Sequence, residues 1–488
     1  MRFTKSIITL FFFAAAILGS SHLRAQTVIG KLSNWTLQDA ISFALKNNIS
    51  IRQNVINERL AHLTLQQSKY AQLPSLNINP SYGISNGRSV DPTTNQFVTS
   101  SYSFVSASAS SNVLVFGWFQ QRNTIEKNKL SWDASKADLD QLKNDVSLNV
   151  ATAYLRVLMA REQIKVNEKQ VNLSKEQLKQ TKQFAAAGRL PELNVAQLEA
   201  QLASDSSGLI SALADYTASI LDIKALMNMD FEAPFEPFIP EIPMEDRISL
   251  NTLSPDYIYH EALRNIPSIR SSDLKLRSAQ KNYAATKAGL WPQLTLGGQL
   301  GSNWTSTYKQ VDGYNVDGTY VPTGTFVNVG GSTYDVVQPN VQPNITSPGF
   351  FKQMDNNFRQ TVSATLNIPI FNSWQTQFQT RQAQLNVYTQ ELNKYQTDLK
   401  LKQDVYKAHN DVVNAIQKYY AAKRSQDAAR RAFDFAQKRY ELGLTNTIDY
   451  LTTQINLYKA EASFLNSKYD LIFKLKVIDY YMGKQLQL

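Results

Sequence analysis

The histidines and glycines that could take part in chemistry are not arranged in a catalytic motif. His62, His260 and His409 are far apart in the sequence, and none belongs to the HExxH pattern of a zinc hydrolase. The "GGQLG" stretch at Gly297 lacks the GxGxxG form, and no GxxxxGKS or GxxxxGKT phosphate loop occurs. Cysteine is absent, which excludes disulfides and thiolate metal sites. The sequence therefore predicts a protein that is not an enzyme and that binds no cofactor and no metal.

Charge and the N-terminal segment narrow the possible functions further. The formal net charge is +10, but the basic residues are scattered at helical surface positions, which indicates solvated faces and argues against nucleic-acid binding. Residues 1–25 begin with basic residues and continue with an apolar run, Ile7 to Leu18, that is shorter than the roughly 20 residues needed to span a bilayer. This pattern predicts a secretory signal peptide, cleaved after Ala25 or alternatively after Ser21.

The rest of the chain contains an internal repeat. The stretch "ALKNNISIR" at 44–52 returns as "ALRNIPSIR" at 262–270, an offset of 218 residues that later becomes 255 because the second copy has gained 37 residues. A match of this length predicts duplication, with a first repeat over 26–233, a proline-rich linker over 234–253 and a second repeat over 254–488. The paired positions are Thr36 with Ser254, Lys69 with Lys287, Pro74 with Pro292, Leu76 with Leu294 and Ile78 with Leu296, then Phe116 with Phe371 and Gly188 with Gly443.

Each copy begins with a helix that is followed by two strands. Thr36 and Ser254 occupy N-cap positions, the second followed by Pro255, and one helix is expected from each cap to the proline at 74 or 292. Apolar and polar residues then alternate with period two, which suits either a membrane barrel with a wet lumen or a half-buried soluble hairpin. The apolar positions are Leu76, Ile78, Tyr82, Ile84, Val105, Ala107, Ala109, Val113 and Val115 in the first copy, and Leu294, Leu296, Leu300, Val362, Ala364, Leu366, Ile368 and Ile370 in the second.

Two 70-residue segments, 118–187 and 373–442, contain neither glycine nor proline. At about 1.5 Å per residue, each would form a helix on the order of 100 Å long, which is far longer than a globular core requires. Residues that favour close packing recur every seven positions in both segments, which predicts coiled-coil packing. They are Val150, Val157, Ile164, Val171 and Leu178 in the first segment, and Ala408, Ala415, Ala422, Ala429 and Ala436 in the second.

Turn residues follow the long helices and fill the extra segment of the second copy. Gly188 and Gly443 are expected at the tips of helical hairpins, because further helices are expected after each of them. The stretch from about 301 to 357 predicts a long loop, whose Asp-Gly pairs indicate turns more than a calcium site. Trp118, Trp291, Trp304 and Trp374 lie near the strands and form either an interfacial belt or parts of a core.

The number of strands limits how the chain can act in a membrane. No segment after residue 25 has an apolar run long enough for a transmembrane helix, and four strands cannot close a barrel that needs about eight. Three chains would supply twelve strands. This order of parts, duplicated as helix, strand pair, long helix, glycine tip and return helix, resembles the TolC-like outer-membrane efflux proteins over essentially the whole mature chain. The expected fold class is therefore an α+β membrane protein, a trimer with a shared β-barrel that a coiled-coil α-helical barrel continues.

The resemblance implies a homotrimeric conduit in the lipid of the bacterial outer membrane, with a helical extension in the periplasm. Its implied partners are a periplasmic adaptor and an inner-membrane transporter of a tripartite efflux or type I secretion system. Family adaptors dock at the hairpin tips, on a motif similar to Val-Gly-Leu or Val-Gly-Thr. The corresponding residues are Ala187, Gly188, Arg189 and Leu190 at the first tip and Leu442, Gly443, Leu444 and Thr445 at the second, which is the closer match.

The resemblance also implies a gate at the periplasmic mouth. Asp449 matches the aspartate that forms a ring on the trimer axis, and Tyr440 matches a tyrosine that links hairpins. Three other gate positions depart from the family pattern: a partner acid is replaced by Asn194, a linking arginine by Thr445 and a second ring residue by Thr452. These departures argue against a tightly latched closed state. Alternative roles are a complement to the helix dipole for Asp449, and packing in a seven-residue stripe for Tyr440.

Two functions fit this architecture. The first is a passive channel that the adaptor and the inner-membrane pump open. The alternative is a trimeric structural or adhesive stalk, anchored by a barrel, in which the helices are spacers and no solute passes. An ordinary porin is disfavoured, because the chain ends in a helical stretch and not in a final aromatic strand.

Overall fold

The computed structural model describes residues 34–90, 97–239 and 254–484. The predicted signal peptide lies outside the described residues, and so does the predicted linker from residue 240 onward. The described residues form two compact units. We call them the sheet unit, from Ser50–Leu142 and Tyr259–Tyr406, and the helical unit, from the described parts of Met1–Ile49, Lys143–Ile258 and Lys407–Leu488.

The two halves of the chain contain corresponding helices in the same order. Both long helices have 67 residues, about 100 Å, as the sequence predicts. The first half consists of α1 (Leu37–Asn47), α2 (Ile49–Tyr70), β1 (Asn77–Val90), β2 (Phe97–Phe116), α3 (Gln120–Ala186) and α4 (Glu192–Met227). The second half consists of α5 (Pro255–Asn265), α6 (Pro267–Ala288), β3 (Gln293–Thr305), β4 (Gln310–Val329), β5 (Ser332–Thr346), α7 (Phe350–Asn356), β6 (Arg359–Asn367), α8 (Gln375–Glu441) and α9 (Thr447–Tyr481).

The first helices of each half begin at the predicted caps but are not continuous. Thr36 forms a capping box with Asp39, and the Ser254 hydroxyl accepts a hydrogen bond from the Tyr257 N–H. The prediction of one helix up to the proline is wrong in both halves, since α1 ends before Asn48 and α5 before Ile266. Ile266 has an extended backbone because it precedes Pro267, and proline disfavours a helical conformation of the residue before it. Asn48 leaves the helical conformation with a ψ of 128°, and its side-chain amide donates to the carbonyl of Leu226 at 2.9 Å.

Four strands form one antiparallel sheet in the order β1-β2-β3-β6. Apolar residues pair across it on one face, as in Ile78 with Ala109, and Ala109 with Leu300. Small and polar residues pair on the other face, as in Ser108 with Gly301. The alternation predicted from the sequence is therefore confirmed over most of the sheet, and the apolar face is exposed within this chain. It fails at Val115, because a register shift places Phe116 opposite Leu294, and at Leu76, which lies before β1.

Three predictions about the second half need correction. The strand predicted as far as Ile370 ends at Asn367, because Pro369 has no N–H to donate to the sheet. The stretch predicted as a loop is largely ordered, since β4 and β5 form a separate antiparallel hairpin that α7 follows. The Asp-Gly pairs are not turns between elements, since Gly313 and Gly318, with φ of 108° and 75°, lie at irregular steps inside β4.

The junctions from strand to long helix have the same backbone in both halves. Trp118 and Phe119 before α3, and Ser373 and Trp374 before α8, all have positive φ between 50° and 64°. The Trp118 and Trp291 rings pack 5.0 Å apart between centroids, yet both side chains and Trp374 are exposed. Trp304 is half-buried and packs against Phe350 with 5.8 Å between ring centroids, so the four tryptophans do not share one environment.

Most of the seven-residue stripe of α3 and the first part of that of α8 lie in the interior of the helical unit, whereas Leu178 is half-buried. In α3, Val150, Val157, Ile164 and Val171 are buried. In α8, Ala408 and Ala415 are buried, whereas the later alanines of that stripe are half-buried. Among the described residues, no helix combines the length and the apolar composition that crossing a lipid bilayer requires.

The start of the linker pairs with the beginning of the described chain. Trp35 N–H donates to Glu236 and Phe238 N–H donates to Trp35, both at 2.8 Å. The hydroxyl of Tyr154 in α3 lies 2.8 Å and 2.7 Å from the carbonyls of Trp35 and Phe238. These bonds fix the described part of the linker to the middle of a long helix.

Candidate functional site at the hairpin tips

The two tips, residues 187–190 between α3 and α4 and residues 442–445 between α8 and α9, have the same backbone geometry. Gly188 and Gly443 are left-handed, with φ of 67° and 71°. Each glycine N–H bonds to the carbonyl three residues earlier at 2.9 Å, and the next N–H bonds to the carbonyl five residues earlier at 2.8 Å. This is a Schellman motif, which ends a helix and favours glycine at the left-handed position. No atom lies within 4 Å of where a Cβ would stand at either glycine, so conformation and not space selects glycine there.

Most side chains of the tips point away from the described protein. Ala187 and Arg189 are exposed, and Leu190 is half-buried. Leu442 is 73% exposed, Leu444 is 63% exposed, and Thr445 is half-buried. Two further exposed apolar residues follow the tips in the next helices, Leu193 in α4 and Ile448 in α9.

Asp449 lies in the first turn of α9, where it takes part in the helix cap. Its N–H donates to the Asn446 side-chain oxygen at 2.7 Å, and the Asn446 amide donates back to the Asp449 carboxylate at 2.9 Å. The side chain is exposed, as is that of Thr452 one turn later. Asp449 therefore complements the helix N-terminus and also presents a charge to solvent.

Tyr440 is buried, unlike the exposed tip residues. Its ring stacks on Tyr450 with 4.7 Å between centroids. Its hydroxyl lies 3.1 Å from the Thr181 hydroxyl and 3.3 Å from that of Thr447. These contacts connect α3, α8 and α9 next to the tips.

Asn194, the remaining residue of the predicted gate, does not belong to the group of Tyr440, Tyr450, Thr181 and Thr447. Asn194 is half-buried near the start of α4, and its N–H donates to the Pro191 carbonyl at 3.0 Å. The structure thus brings Tyr440 together with Thr447 and Tyr450, whereas Asp449 and Thr452 lie on the exposed side of α9.

Burial perturbs a tyrosine of this cluster. Tyr450 is completely buried, and its hydroxyl has no hydrogen-bond partner among the described residues. This burial raises the pKa of Tyr450 far above its ordinary value, and the neighbouring Tyr440 and Glu441 add to the effect. The phenol is therefore neutral at every physiological pH.

A row of buried polar residues on α3 was not anticipated from the sequence. Every residue of this row is at most 9% exposed. Every one lies one or three positions away from a residue of the seven-residue stripe of α3. Asn167, Ser174 and Thr181 repeat every seven residues, each three positions after a stripe residue, so the signal was present in the spacing. We call this row the polar row; its members are Asn167, Gln170, Ser174, Gln177 and Thr181.

The polar row bonds to helices of both hairpins. On α4, the Asp205 carboxylate accepts hydrogen bonds from Ser174 at 2.5 Å and from Gln170 at 3.3 Å. On α9, the Gln454 amide donates to the Ser174 hydroxyl at 3.1 Å, and the Tyr458 hydroxyl donates to Asn167 at 2.6 Å. Hydrogen bonds therefore join α3 to both α4 and α9 in this stretch. They lie beside the apolar cluster of Phe433, Tyr440, Tyr450 and Leu457, against which Leu173 of α3 packs.

Metal-ligating side chains are not grouped in the described part of the chain. Within residues 34–90, 97–239 and 254–484, no three histidine, aspartate or glutamate side chains are grouped so that they could hold a metal ion. The polar and charged groups of this region serve helix caps and contacts between helices.

Solved structures of bacterial outer-membrane channels share this fold. The Campylobacter jejuni outer membrane channel CmeC matches 95% of this chain and 90% of its own length, with a TM-score of 0.72 and 18% identity. The outer membrane protein VceC of Vibrio cholerae matches 92% of this chain and 96% of its own, with a TM-score of 0.73 and 14% identity. The chain therefore has the fold of the outer-membrane channels.

Its sequence shows the family within that class. Residues 40–229 and 258–483 match the outer membrane efflux protein family, OEP, and the chain belongs to this family. The outer membrane efflux protein BepC of Brucella suis is 24% identical over 323 residues, which cover 65% of this chain and 63% of BepC. The pyoverdine export outer membrane protein OpmQ of Pseudomonas putida is 22% identical over 197 residues, 40% of each chain. The chain thus spans less than two thirds of the length of the curated relatives it matches.

Proposed function

We propose that this chain is the outer-membrane channel of a tripartite efflux or type I secretion system, in which three copies form a passive conduit from the periplasm to the exterior. One observation carries the proposal: a member of the outer membrane efflux protein family combines a two-faced, four-stranded sheet with two helices of about 100 Å. Family membership also supports transport over catalysis, and a location in the outer membrane.

The sheet supports a barrel that several chains share. Its outer strands, β1 and β6, each have one edge without a partner strand in the described chain. Joining three such sheets edge to edge would give twelve strands and leave no edge unpaired, as a structure in lipid requires. The exposed apolar face, including Ile78, Tyr82 and Val362, would contact lipid, and the small polar face would line water.

The helices support a periplasmic tube that continues the barrel. The two halves have first helices of 11 residues, second helices of 22 residues and long helices of 67 residues. Equal lengths support a duplication in which each half forms one of two similar walls. Three chains would then supply six such walls around one axis.

The tips support docking of a periplasmic adaptor. Leu442, Leu444 and Ile448 expose apolar side chains around Gly443, and an exposed apolar cluster of this kind indicates a protein contact. Residues 187–190 offer a less apolar surface in which Arg189 is exposed. We therefore assign the main adaptor contact to residues 442–445 and a secondary contact to residues 187–190.

The exposed side of α9 supports a selective ring at the mouth. Asp449 is exposed there, and three copies around one axis would attract cations. Thr452 adds a neutral polar ring one turn away, and Asn194 and Thr445 add no charge. We assign Tyr440 to the contact between hairpins of one chain, because its hydroxyl bonds to Thr181 inside the same chain.

Conductance distinguishes the channel from the stalk. Purified protein that is inserted into a planar bilayer is expected to show discrete current steps, because a water-filled trimer conducts ions. Light scattering of the same sample in detergent is expected to give the mass of three chains. A trimer that inserts and carries no current contradicts the channel and favours the stalk.

A further inference from the structure

The strands β4 and β5 form a hairpin with one apolar and one polar face. Successive residues of a strand point to opposite faces, and in β5 the apolar and polar residues alternate strictly from Val337 to Ile345. The apolar face of β5 consists of Val337, Pro339, Val341, Pro343 and Ile345, and the opposite face presents Gln338, Asn340, Gln342 and Asn344.

The register places the apolar residues of β4 on the same face. Directly paired residues share a face, and every apolar residue of that face of β5 is paired with an apolar residue of β4. Irregular steps in β4 at Gly313 and Gly318, where φ is positive, keep this match over the length of the hairpin. The pairs are Val311 with Ile345, Tyr314 with Pro343, Val316 with Val341, Tyr320 with Pro339 and Pro322 with Val337.

Asp317, Thr319 and Asn340 bond to one another inside the hairpin, whereas the apolar face is open. The Asn340 amide donates to the Asp317 carboxylate at 2.8 Å, and the Thr319 N–H donates to the same carboxylate at 2.8 Å. On the apolar face, Tyr314 and Tyr320 are 68% and 66% exposed. A two-stranded sheet is only marginally stable by itself in water, so this face requires a cover.

The strand edges are poorly suited to the addition of another strand. Pro322, Pro339 and Pro343 have no N–H to donate, and proline on an edge blocks pairing with a further strand. A partner would therefore cover the face of the hairpin and would not extend its edge.

The size of the face limits which partner can cover it. Five pairs, two residues apart at about 3.4 Å per residue on strands about 4.8 Å apart, give an area of roughly 300 Å². A stable interface between free proteins buries about 800 Å² on each side. The face is thus too small to hold a freely diffusing protein, and its partner must already be held nearby.

Charge argues against a lipid surface as that partner. The hairpin, residues 310–346, contains Asp312, Asp317 and Asp335 and no lysine or arginine, and Lys309 and Lys352 flank it. Anionic lipid head groups attract basic segments and repel acidic ones. Another copy of the same chain is held nearby by the assembly and presents an identical apolar face.

We propose that the apolar faces of the β4–β5 hairpins of different copies pack against one another. The inference rests on the trimer that we propose above. The hairpin lies between β3 and β6 at the sheet end that also carries the β1–β2 connection, whereas α3 and α8 begin at the opposite end. The three hairpins therefore meet at the exterior end of the conduit and form a contact between copies that is separate from the barrel and the helices.

Cross-linking tests this packing, because the chain contains no cysteine. Val341→Cys places a thiol on the apolar face, and the matched control Gln342→Cys places one on the polar face of the same strand. Each full-length variant in detergent is treated with a short dimaleimide and analysed on a denaturing gel. We expect at least tenfold more covalent dimer from Val341→Cys than from Gln342→Cys. Tyr320→Cys, on the apolar face of β4, serves as the second variant if Val341→Cys does not fold.

The possible outcomes separate this inference from the proposed function. If light scattering shows trimers and the two variants cross-link equally or not at all, the hairpin contact is overturned and the proposed channel is unaffected. The absence of both trimers and conductance overturns the proposed function as well. In a second experiment, each cysteine is labelled with bimane and the variant is placed in liposomes that contain brominated lipid. Stronger quenching of the label on Val341→Cys than of the label on Gln342→Cys would identify lipid as the cover and would also overturn the inference.

Discussion

The hydroxyl oxygens of Tyr440 and Thr181 lie 3.1 Å apart in the interior of the helical unit, and the two residues are 259 positions apart in sequence. Tyr440 belongs to α8 and Thr181 to the polar row of α3, so the contact joins the two helical hairpins of one chain. Thr181 is completely buried, and Tyr440 is 5% exposed. A buried hydroxyl that loses its partner costs about 1–3 kcal/mol, so this contact specifies how the hairpins meet.

Removing either hydroxyl is expected to destabilise the helical unit. Tyr440→Phe and Thr181→Val should each lower the free energy of unfolding by about 1–2 kcal/mol, because each leaves the other hydroxyl without this partner. The double variant should lose less than the sum of the two, since both changes remove the same contact. Urea unfolding followed by circular dichroism measures the three values. Tyr395→Phe, at an exposed position of α8, is the control; additive losses would show that the two hydroxyls do not interact.

Asp449 is expected to set the ion preference of the channel. Asp449→Asn should reduce the preference for cations, because it removes the exposed charge of the proposed ring. Reversal potentials across a salt gradient in a planar bilayer measure this preference. The matched control is Asn446→Ala, which removes the side-chain partner of the Asp449 N–H and keeps the charge. The control should cost about 1 kcal/mol of stability and leave selectivity unchanged. Equal selectivity of Asp449→Asn and the unaltered protein would refute the ring.

Gly443 is expected to be essential for adaptor docking at the second tip. Gly443→Val should weaken co-purification with the adaptor while trimers persist, because a residue other than glycine in the left-handed conformation costs roughly 1–2 kcal/mol. Gly443→Asn is the matched control, since asparagine tolerates this conformation. Undiminished co-purification of Gly443→Val would contradict docking at residues 442–445.

The stability of the helical unit is expected to fall at high pH because of Tyr450. Burial raises the pKa of this phenol in the folded chain, so the unfolded chain loses its proton first, near the usual pKa of about 10. The contribution is therefore complete below that pH and declines above it by about 1.4 kcal/mol per pH unit. Unfolding at about pH 9 and about pH 11 measures the loss, which should be smaller in Tyr450→Phe. Burial also raises the pKa of Tyr469 to about 12, so part of the dependence should remain. An identical pH dependence in the variant would contradict the assignment.

The secondary structure that is set by neighbouring residues could be predicted closely. Both long helices follow from segments free of glycine and proline, and the glycine tips follow from the left-handed turn that ends such helices. The four sheet strands follow from period-two alternation. The β4–β5 hairpin was missed because the irregular steps at Gly313 and Gly318 interrupt the alternation in β4, although that in β5 was legible.

The candidate site was predictable only in part, and Tyr440 shows the reason. Its position in a seven-residue stripe was evident from the sequence, but its partners Thr181 and Thr447 were not. The break at Asn48 is a similar case, because its side chain bonds to Leu226, 178 residues away. Contacts at such separations depend on how helices pack, and local spacing does not encode them.

The sequence by itself determined the lengths of the two long helices, the faces of the four sheet strands and the positions of the tips, because backbone conformation and side-chain periodicity are local properties. Only the tertiary structure decided which faces are covered. It placed the polar row between two hairpins, where Asn167, Gln170, Ser174 and Thr181 bond to other helices and the side-chain oxygen of Gln177 has no partner in the described chain. It also left the apolar faces of the sheet and of the β4–β5 hairpin exposed, because no other part of the described chain covers them, and apolar area in contact with water favours a cover.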